Sequence, residues 1–355
     1  MRSHHPRLSI HPLDLQNLVT PFSHTTSHPL PGAQALVTWS LRRAFPGTHF
    51  SMVAEEDAAD LKAPGGEKMA ARITALVNEV LAEQAPGEGP PAASGSPPAP
   101  APPLSVTAVL ALIDAGGAEG GASGRHWVLD PIDGTKGFVG GRQYAVCLGL
   151  LDGGAAVLGV LGCPNLPAST RLAAVDGEAG PAGKERGDVG VLFWAAAGAG
   201  SFAEPLHNDQ AASPAARLGV GDPPPGTPGV RFMESYEARH SDFELAAGLA
   251  RALGVASPAL RLDSQAKYGA LARGDAAINL RFPPSAYREK IWDHVAGAVV
   301  AAEAGAVVSD AGGAPLDFSR GRWLDLDRGI VTAPPALHAA LLAALKEEEV
   351  EEKAA

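Results

Sequence analysis

The chain's 355 residues carry 28 Lys and Arg against 39 Asp and Glu, a formal net charge of −11 at pH 7. With 46% hydrophobic residues it can bury a sizeable core, which excludes wholesale disorder. The negative balance and an aromatic content of 5% argue against holding a nucleic-acid polymer by backbone charge or base stacking. Cys147 and Cys163 are too few for a disulfide framework, and no CxxC or Cys/His zinc spacing occurs, so a reducing compartment is the default. No apolar run approaches the roughly 18 residues of a membrane span, and the first residues lack the apolar block of a secretory signal.

Taken in chain order, residues 1–54 contain a single acid, Asp14, among Arg, Ser, Thr and His. That composition is like an organelle transit peptide and would direct the chain to chloroplast or mitochondrion; otherwise it reads as cytoplasmic. Residues 34–45 predict an amphipathic helix through Leu36, Val37, Leu41 and Ala44, ended by Pro46 and Gly47. A strand over 50–54 runs into Glu55-Glu56-Asp57, and a helix follows over 73–81. Residues 85–103, crowded with Pro, Gly, Ala and Ser, read as a flexible surface insert. A helix over 104–114 leads to a strand at 127–129 that is expected to stop at Asp130-Pro131.

Runs at 144–151 and 156–161 flank Asp152-Gly153-Gly154, a hairpin signal that places both cysteines on neighbouring strands as buried small hydrophobes. A polar segment over 167–190 loops out before a strand at 189–196, and the prolines of 222–229 mark another loop. Beyond it strands and helices alternate to Leu345, giving a mixed α/β chain. The acidic tail from Lys346 onward reads as a solvated helix end or a frayed terminus.

The chemistry concentrates in WVLDPIDGTKGF, residues 127–138. Asp130 and Asp133 sit on an irregular turn, with the Ile132 carbonyl between them as a third oxygen donor. Gly134 lets backbone N–H groups approach a phosphate, Thr135 adds a hydroxyl, and a helix turn beginning near Lys136 favours an anion. Hard oxygen donors without His or Cys select Mg²⁺. Glu55 ends its strand with Glu56 and Asp57 as solvated neighbours. Asp293 stands where a strand-like REKI run meets the apolar helix of 296–304. Alone, Asp293 reads as a helix N-cap. Together, the three clusters at separated strand ends point to a carboxylate metal site.

DPIDGT followed by WDHVAG, with Glu55-Glu56 upstream, resembles the signature of the magnesium-dependent, lithium-sensitive phosphatase superfamily that includes inositol monophosphatase. Within it the chain is most similar to the plant-type 3′(2′),5′-bisphosphate nucleotidases. Four stretches carry this: SMVAEEDAADL, DPIDGTKGFVGGRQYAVCLGLL, DSQAKYGALARGDAAINLRFP and YREKIWDHVAGAVVAAEAGAVVSDAGGAPLDF. Lys136-Gly137 stands where inositol monophosphatases usually have Thr-Asn, and those proteins lack the DSQAKY block. The resemblance runs from Gln34 to about Leu345, apart from the insert.

It implies an α/β (α+β) fold, a layered αβαβα sandwich in two lobes. Residues 32–166 would form the lobe with the metal site and 167–345 the lobe with the nucleotide-binding residues. Residues 1–31 form a divergent segment and 346–355 the tail. The resemblance also implies two or three Mg²⁺ ions on Glu55, Asp130, the Ile132 carbonyl, Asp133 and Asp293. Thr135 would help activate the attacking water, and the Gly134 and Thr135 backbone would hold the scissile phosphate. His240, Ser264, Lys267 and Arg281, with Asp293, would contact the substrate. Read alone, Lys267 and Arg281 are ordinary surface charges and His240 a loop histidine that caps a helix.

The implied reaction converts adenosine 3′,5′-bisphosphate to AMP and phosphate, with phosphoadenosine phosphosulfate as a second substrate. Alternatives are an inositol polyphosphate 1-phosphatase and a nucleotide-binding protein with impaired catalysis. The implied partner is a small molecule, with no nucleic-acid polymer or membrane, and the chain is expected to be a monomer.

One departure stands out. The family reads close to PVTVADYGAQA before the first helix, whereas this chain reads SHTTSHPLPGAQA, so Leu30 and Pro31 replace the expected Asp and Tyr. The missing Asp is the partner of the catalytic threonine. Either the segment before Gly32 is not the native one, or catalysis is weakened by about two to four orders of magnitude while metal and nucleotide still bind.

Overall fold

The structure is a computed structural model that describes residues 30–83, 102–168, 189–206, 215–236, 243–284 and 287–354. The N-terminal segment through residue 29, the insert over 85–101, most of the 167–190 loop and His240 lie outside the described residues.

Two sheets organise the chain. In the first, β1 (Met52–Ala54) runs parallel to β2 (Arg125–Asp133). Antiparallel ladders then continue through β3 (Ala145–Asp152), β4 (Ala155–Pro167), β5 (Val189–Ala196), β6 (Gly200–Pro205) and β7 (Ala216–Arg217). The expected hairpin joins β3 to β4, with Gly153 and Gly154 at φ 59° and 82°, the left-handed pair a tight turn of this hand requires. The second sheet comprises β8 (Phe232–Glu234), β9 (Leu260–Arg261), β10 (Ile278–Arg281), β11 (Val307–Asp310) and β12 (Ile330–Ala333), in the order β11-β12-β10-β8-β9.

Alternation along the strands sends side chains to opposite faces, and helices cover each face. On one side of the first sheet, Leu129 and Leu148 pack with Leu36 of α1 (Leu30–Ala44), Ile73 of α3 (Glu67–Glu83) and Ile113 of α4 (Val106–Asp114). The short α2 (Ala59–Lys62) lies between α1 and α3 in the chain. On the other side, Cys147, Leu161 and Phe193 meet Leu271 of α7 (Ala266–Arg273) and Val300 of α8 (Val295–Glu303). Beyond the second sheet, Ile278 and Val331 pack with Leu249 of α6 (Phe243–Ala252) and Leu341 of α9 (Pro335–Ala354). The layers therefore alternate helix, sheet, helix, sheet, helix, as the resemblance implied. α8 lies hard against the first sheet: a Cβ on Gly159 would fall 2.2 Å from the Ala296 carbonyl oxygen. No helix among the described residues is long and apolar enough to cross a membrane.

Several local expectations need correction. α1 starts at Leu30, four residues before the apolar periodicity begins, because Pro31 in a first turn forfeits no intrahelical bond. β2 does not stop at Asp130-Pro131 but runs on to Asp133. Its ladder with β3 slips between Asp130 and Asp133, and a proline is tolerated at such a bulge. The REKI run is no strand: a single bridge pairs Lys290 with Trp323, and a 3₁₀ turn, Ile291–Asp293, follows. The tail continues α9, in keeping with a solvated helix end.

Candidate active site

The irregular bulge of β2 explains why both aspartates of DPIDGT face one way. With one extra residue inserted, Asp130 and Asp133 no longer follow strict alternation. Gly134 then takes φ 84° to begin the short α5 (Thr135–Val139). A side chain there would be strained and would meet Ser264 Cβ at 3.0 Å. The end of β1 presents Glu55, the 3₁₀ turn before α8 presents Asp293, α7 and its approach present Ser264 and Lys267, and β10 presents Arg281. Every one of these, with Ile132 and Thr135, lines a single cavity of about 260 Å³. His240 apart, the residues expected from the sequence thus converge.

Much of the cavity lining is acidic. Asp130 is 2% exposed, and burial, then the charges of Asp133, Glu55 and Asp293, push its carboxyl well above the usual range. Burial lifts Asp133 to about 6, while the Gln265 N–H, donating to its Oδ2 at 2.5 Å, works the other way. Asp293 is likewise pushed well up by burial and by Asp133 and Glu289. Glu56 is not the solvated neighbour expected: it is half-buried, and burial with Glu55 and Asp57 raises it to about 7. Mutual repulsion among buried carboxylates is relieved by a cation, and the donor set, all hard oxygen, fits a divalent one. The nearest protein cation recorded for Glu55 is Lys290, with Nζ 3.8 Å from Oε1. The Thr135 hydroxyl lies 3.4 Å from the Ile132 carbonyl oxygen, and both residues line the cavity.

Asp293 is no N-cap. His294 holds that position on α8, without a side-chain capping bond. Glu289, Asp293 and His294 have ligand atoms within 4.8 Å of one another, yet two of the three are engaged elsewhere. Glu289 Oε1 accepts from Arg281 Nε at 2.7 Å, its Oε2 pairs with His294 Nε2 at 3.0 Å, and His294 Nδ1 meets the Tyr268 hydroxyl at 2.9 Å. This chain braces Arg281 beside Asp293.

The lining also carries cations, and Lys267 and Arg281 are not the surface charges their residue types suggest. Lys267 is 7% exposed, and burial and then Arg281 push it down to about 8. Its Nζ donates to Ser235 Oγ at 2.7 Å. For Arg281, burial alone would weaken the charged form, but the Glu289 carboxylate outweighs it and the net change is upward. Tyr287, 40% exposed, lines the cavity with its ring 5.9 Å from the Arg281 guanidinium.

Sequence reasoning named Ser264 but missed the two glutamines that hold this arrangement. Ser264 sits at φ 69°, strained for a side chain of its kind, and the turn it makes aims the Gln265 N–H at Asp133. The Gln265 carboxamide donates to the Trp292 carbonyl at 2.7 Å and accepts from the Gly297 N–H at 3.0 Å, clamping the Asp293 turn. Gln34 on α1 does the same for the Glu55-Glu56 corner, exchanging bonds with the Glu56 N–H and carbonyl. Their signal in the sequence is slight: neither glutamine lies within DPIDGT, Glu55-Glu56 or WDHVAG. At the other departure, α1 carries no acid in its first turn and Leu30 packs partly buried on the core.

The sequence model of the inositol monophosphatase family matches residues 33–350. The 3′(2′),5′-bisphosphate nucleotidase 1 of Arabidopsis thaliana is 49% identical over 325 residues, covering 91% of this chain and 86% of that protein. The 3′(2′),5′-bisphosphate nucleotidase of Emericella nidulans is 43% identical, covering 89% and 86%. Among solved structures, the inositol monophosphatase of Anabaena (Nostoc) is 18% identical, covering 94% of this chain and 90% of that one, with a TM-score of 0.49.

Proposed function

The chain belongs to the inositol monophosphatase family, a family of metal-dependent phosphatases, and from that premise we propose that it is a 3′(2′),5′-bisphosphate nucleotidase. It hydrolyses adenosine 3′,5′-bisphosphate to AMP and phosphate and accepts phosphoadenosine phosphosulfate as a second substrate. The observation that carries the reading is that one cavity is lined both by buried carboxylates and by Lys267 and Arg281. A substrate with two phosphates makes use of both sets of charges. An inositol monophosphate would leave one set unused.

Glu55, Asp130, the Ile132 carbonyl, Asp133 and Asp293 are the residues that would hold two or three Mg²⁺ ions. Bound there, such ions neutralise phosphate charge and acidify a coordinated water. The protein's own part is positioning. The backbone of Gly134 and Thr135 receives the scissile phosphate at the start of α5, and the Thr135 hydroxyl orients the attacking water. Lys267 and Arg281, with Ser264 and His240, hold the nucleotide and its retained phosphate, so that the ester is presented in line. The Tyr287 ring at the cavity mouth offers a stacking face to the base. Leu30 stands where the family has the Asp that would accept the water's proton, and Leu30→Asp tests what that position contributes to turnover. The protein works as a monomer on a small molecule, in an organelle if residues 1–31 act as a transit peptide.

The test is release of phosphate and AMP from adenosine 3′,5′-bisphosphate by the purified chain with Mg²⁺. Release should stop with EDTA and with Asp130→Asn, and should be slower on inositol 1,4-bisphosphate. EDTA-insensitive release, or a faster rate on the inositol ester, would overturn the assignment.

A further inference from the structure

We infer that Arg322 is a positioning residue for the metal site, fixing the Glu55 corner against the Asp293 turn. The inference rests on the metal-dependent reading above. Arg322 lies after the 3₁₀ turn Phe318–Arg320, far from either acid in sequence. Its Nη2 donates to the Ala54 carbonyl at 2.7 Å, and its Nη1 donates to the Ala118 and Gly116 carbonyls at 2.9 and 3.2 Å. The same guanidinium lies 4.7 Å from the centre of the Trp292 ring. Ala54 immediately precedes Glu55, and Trp292 immediately precedes Asp293. The backbone adds to the tie: Ile291 N–H donates to the Arg322 carbonyl at 3.1 Å, and Leu324 N–H donates to the Glu289 carbonyl at 2.8 Å.

One side chain therefore touches the residue before each of two acids that come from different elements. Those acids repel each other, and Glu55 and Asp293 both act to raise Asp130. Without a fixed tie the two would separate, and a cation between them would meet a wider, less complete set of oxygens. The planar fork of Arg serves several carbonyls at once while its face stacks on an indole, which a Lys ammonium cannot do. Residues that orient metal ligands in this way are worth about 10- to 100-fold in metal affinity.

The experiment uses the full chain and measures Mn²⁺ binding directly, by the electron paramagnetic resonance of the free ion, beside thermal unfolding and the Mg²⁺ dependence of phosphate release. Arg322→Met should weaken Mn²⁺ binding about tenfold or more, and Arg322→Lys should fall between it and the parent. Leu341→Ala, in the core of α9 on the far sheet, should lower the unfolding temperature and leave Mn²⁺ affinity unchanged. If Arg322→Met fails to fold, Arg322→Lys carries the test. Parent-like Mn²⁺ affinity in the folded Arg322 variants, or equal weakening by Leu341→Ala, would refute the positioning role. A parent chain that binds no Mn²⁺ would instead remove the metal-dependent reading, and the inference with it.

Discussion

Replacing Lys267 with Met removes an ammonium that is 7% exposed and donates to Ser235 Oγ at 2.7 Å. Burial and Arg281 bring this group from an ordinary 10.5 to about 8. At about 1.4 kcal/mol for each tenfold change in proton affinity, keeping it charged in the fold costs about 3 kcal/mol. Met abolishes that cost, at the loss of one hydrogen bond worth about 1 kcal/mol. The variant should therefore be more stable by about 2 kcal/mol at pH 7.

The sign of the pH dependence follows from linkage. Between pH 8 and 10.5 the unfolded chain holds a proton on Lys267 that the fold has released, so the parent gains stability as pH rises through that window. The advantage of Lys267→Met should be full below pH 8 and gone above 10.5. Urea unfolding with EDTA and without substrate, at several pH values across that window, measures it. Function should move the opposite way: losing a charged contact worth about 1.5–3 kcal/mol should raise KM for adenosine 3′,5′-bisphosphate about 10- to 100-fold. A variant that is less stable at pH 7, or a stability gap that ignores pH, would refute the account of the buried charge. An unchanged KM would refute its contact with phosphate.

Gly159→Ala should destabilise by about 2 kcal/mol in urea, because its Cβ would sit 2.2 Å from the Ala296 carbonyl and push α8 off the sheet. Gly219→Ala, where nothing lies within 4 Å, should show no such loss. Leu30→Asp restores an acid to the first turn of α1 and should raise kcat about 100-fold, the worth of acid–base help; an unmoved kcat would show that catalysis does not lack that group. Tyr287→Ala should cut kcat/KM for the nucleotide about tenfold and spare inositol 1,4-bisphosphate, with Tyr287→Phe close to the parent. Equal losses on both substrates would deny the ring a role in base recognition.

What could be read from the residues follows from how local each signal is. The hairpin was legible because Gly153-Gly154 must turn whatever surrounds it. The three acidic clusters were legible as one group of carboxylates, and they do line one cavity, although Asp293 comes from a 3₁₀ turn and not from a strand end. The family resemblance added the layered fold, which the packing of Leu129, Phe193 and Val331 against separate helices bears out. Burial was not legible for polar groups. Lys267 looks like any lysine on an eight-residue helix until Phe193, Tyr268 and the second sheet close around α7. Asp293 looked like a cap because a cap is what an acid before a helix usually is; only the intervening His294 and the 3₁₀ turn displace it. Gln265 and Arg322 act on backbone carbonyls supplied by distant segments, and no spacing within the chain announces such partners.

The charges that line the cavity differ in what they demand of a ligand. Glu289 pairs with Arg281 within the protein, and Lys267 donates to the Ser235 hydroxyl. On the proposed assignment, these cations receive the retained phosphate directly, whereas a phosphate beside Glu55, Asp130, Asp133 and Asp293 would be repelled unless a cation intervened. The retained phosphate is then the anchor and the scissile one the conditional guest. The same difference explains why the braces lie where they do: Gln265 and Arg322 hold the carboxylates, whose mutual repulsion would open the site, whereas the Arg281–Glu289 pair holds itself.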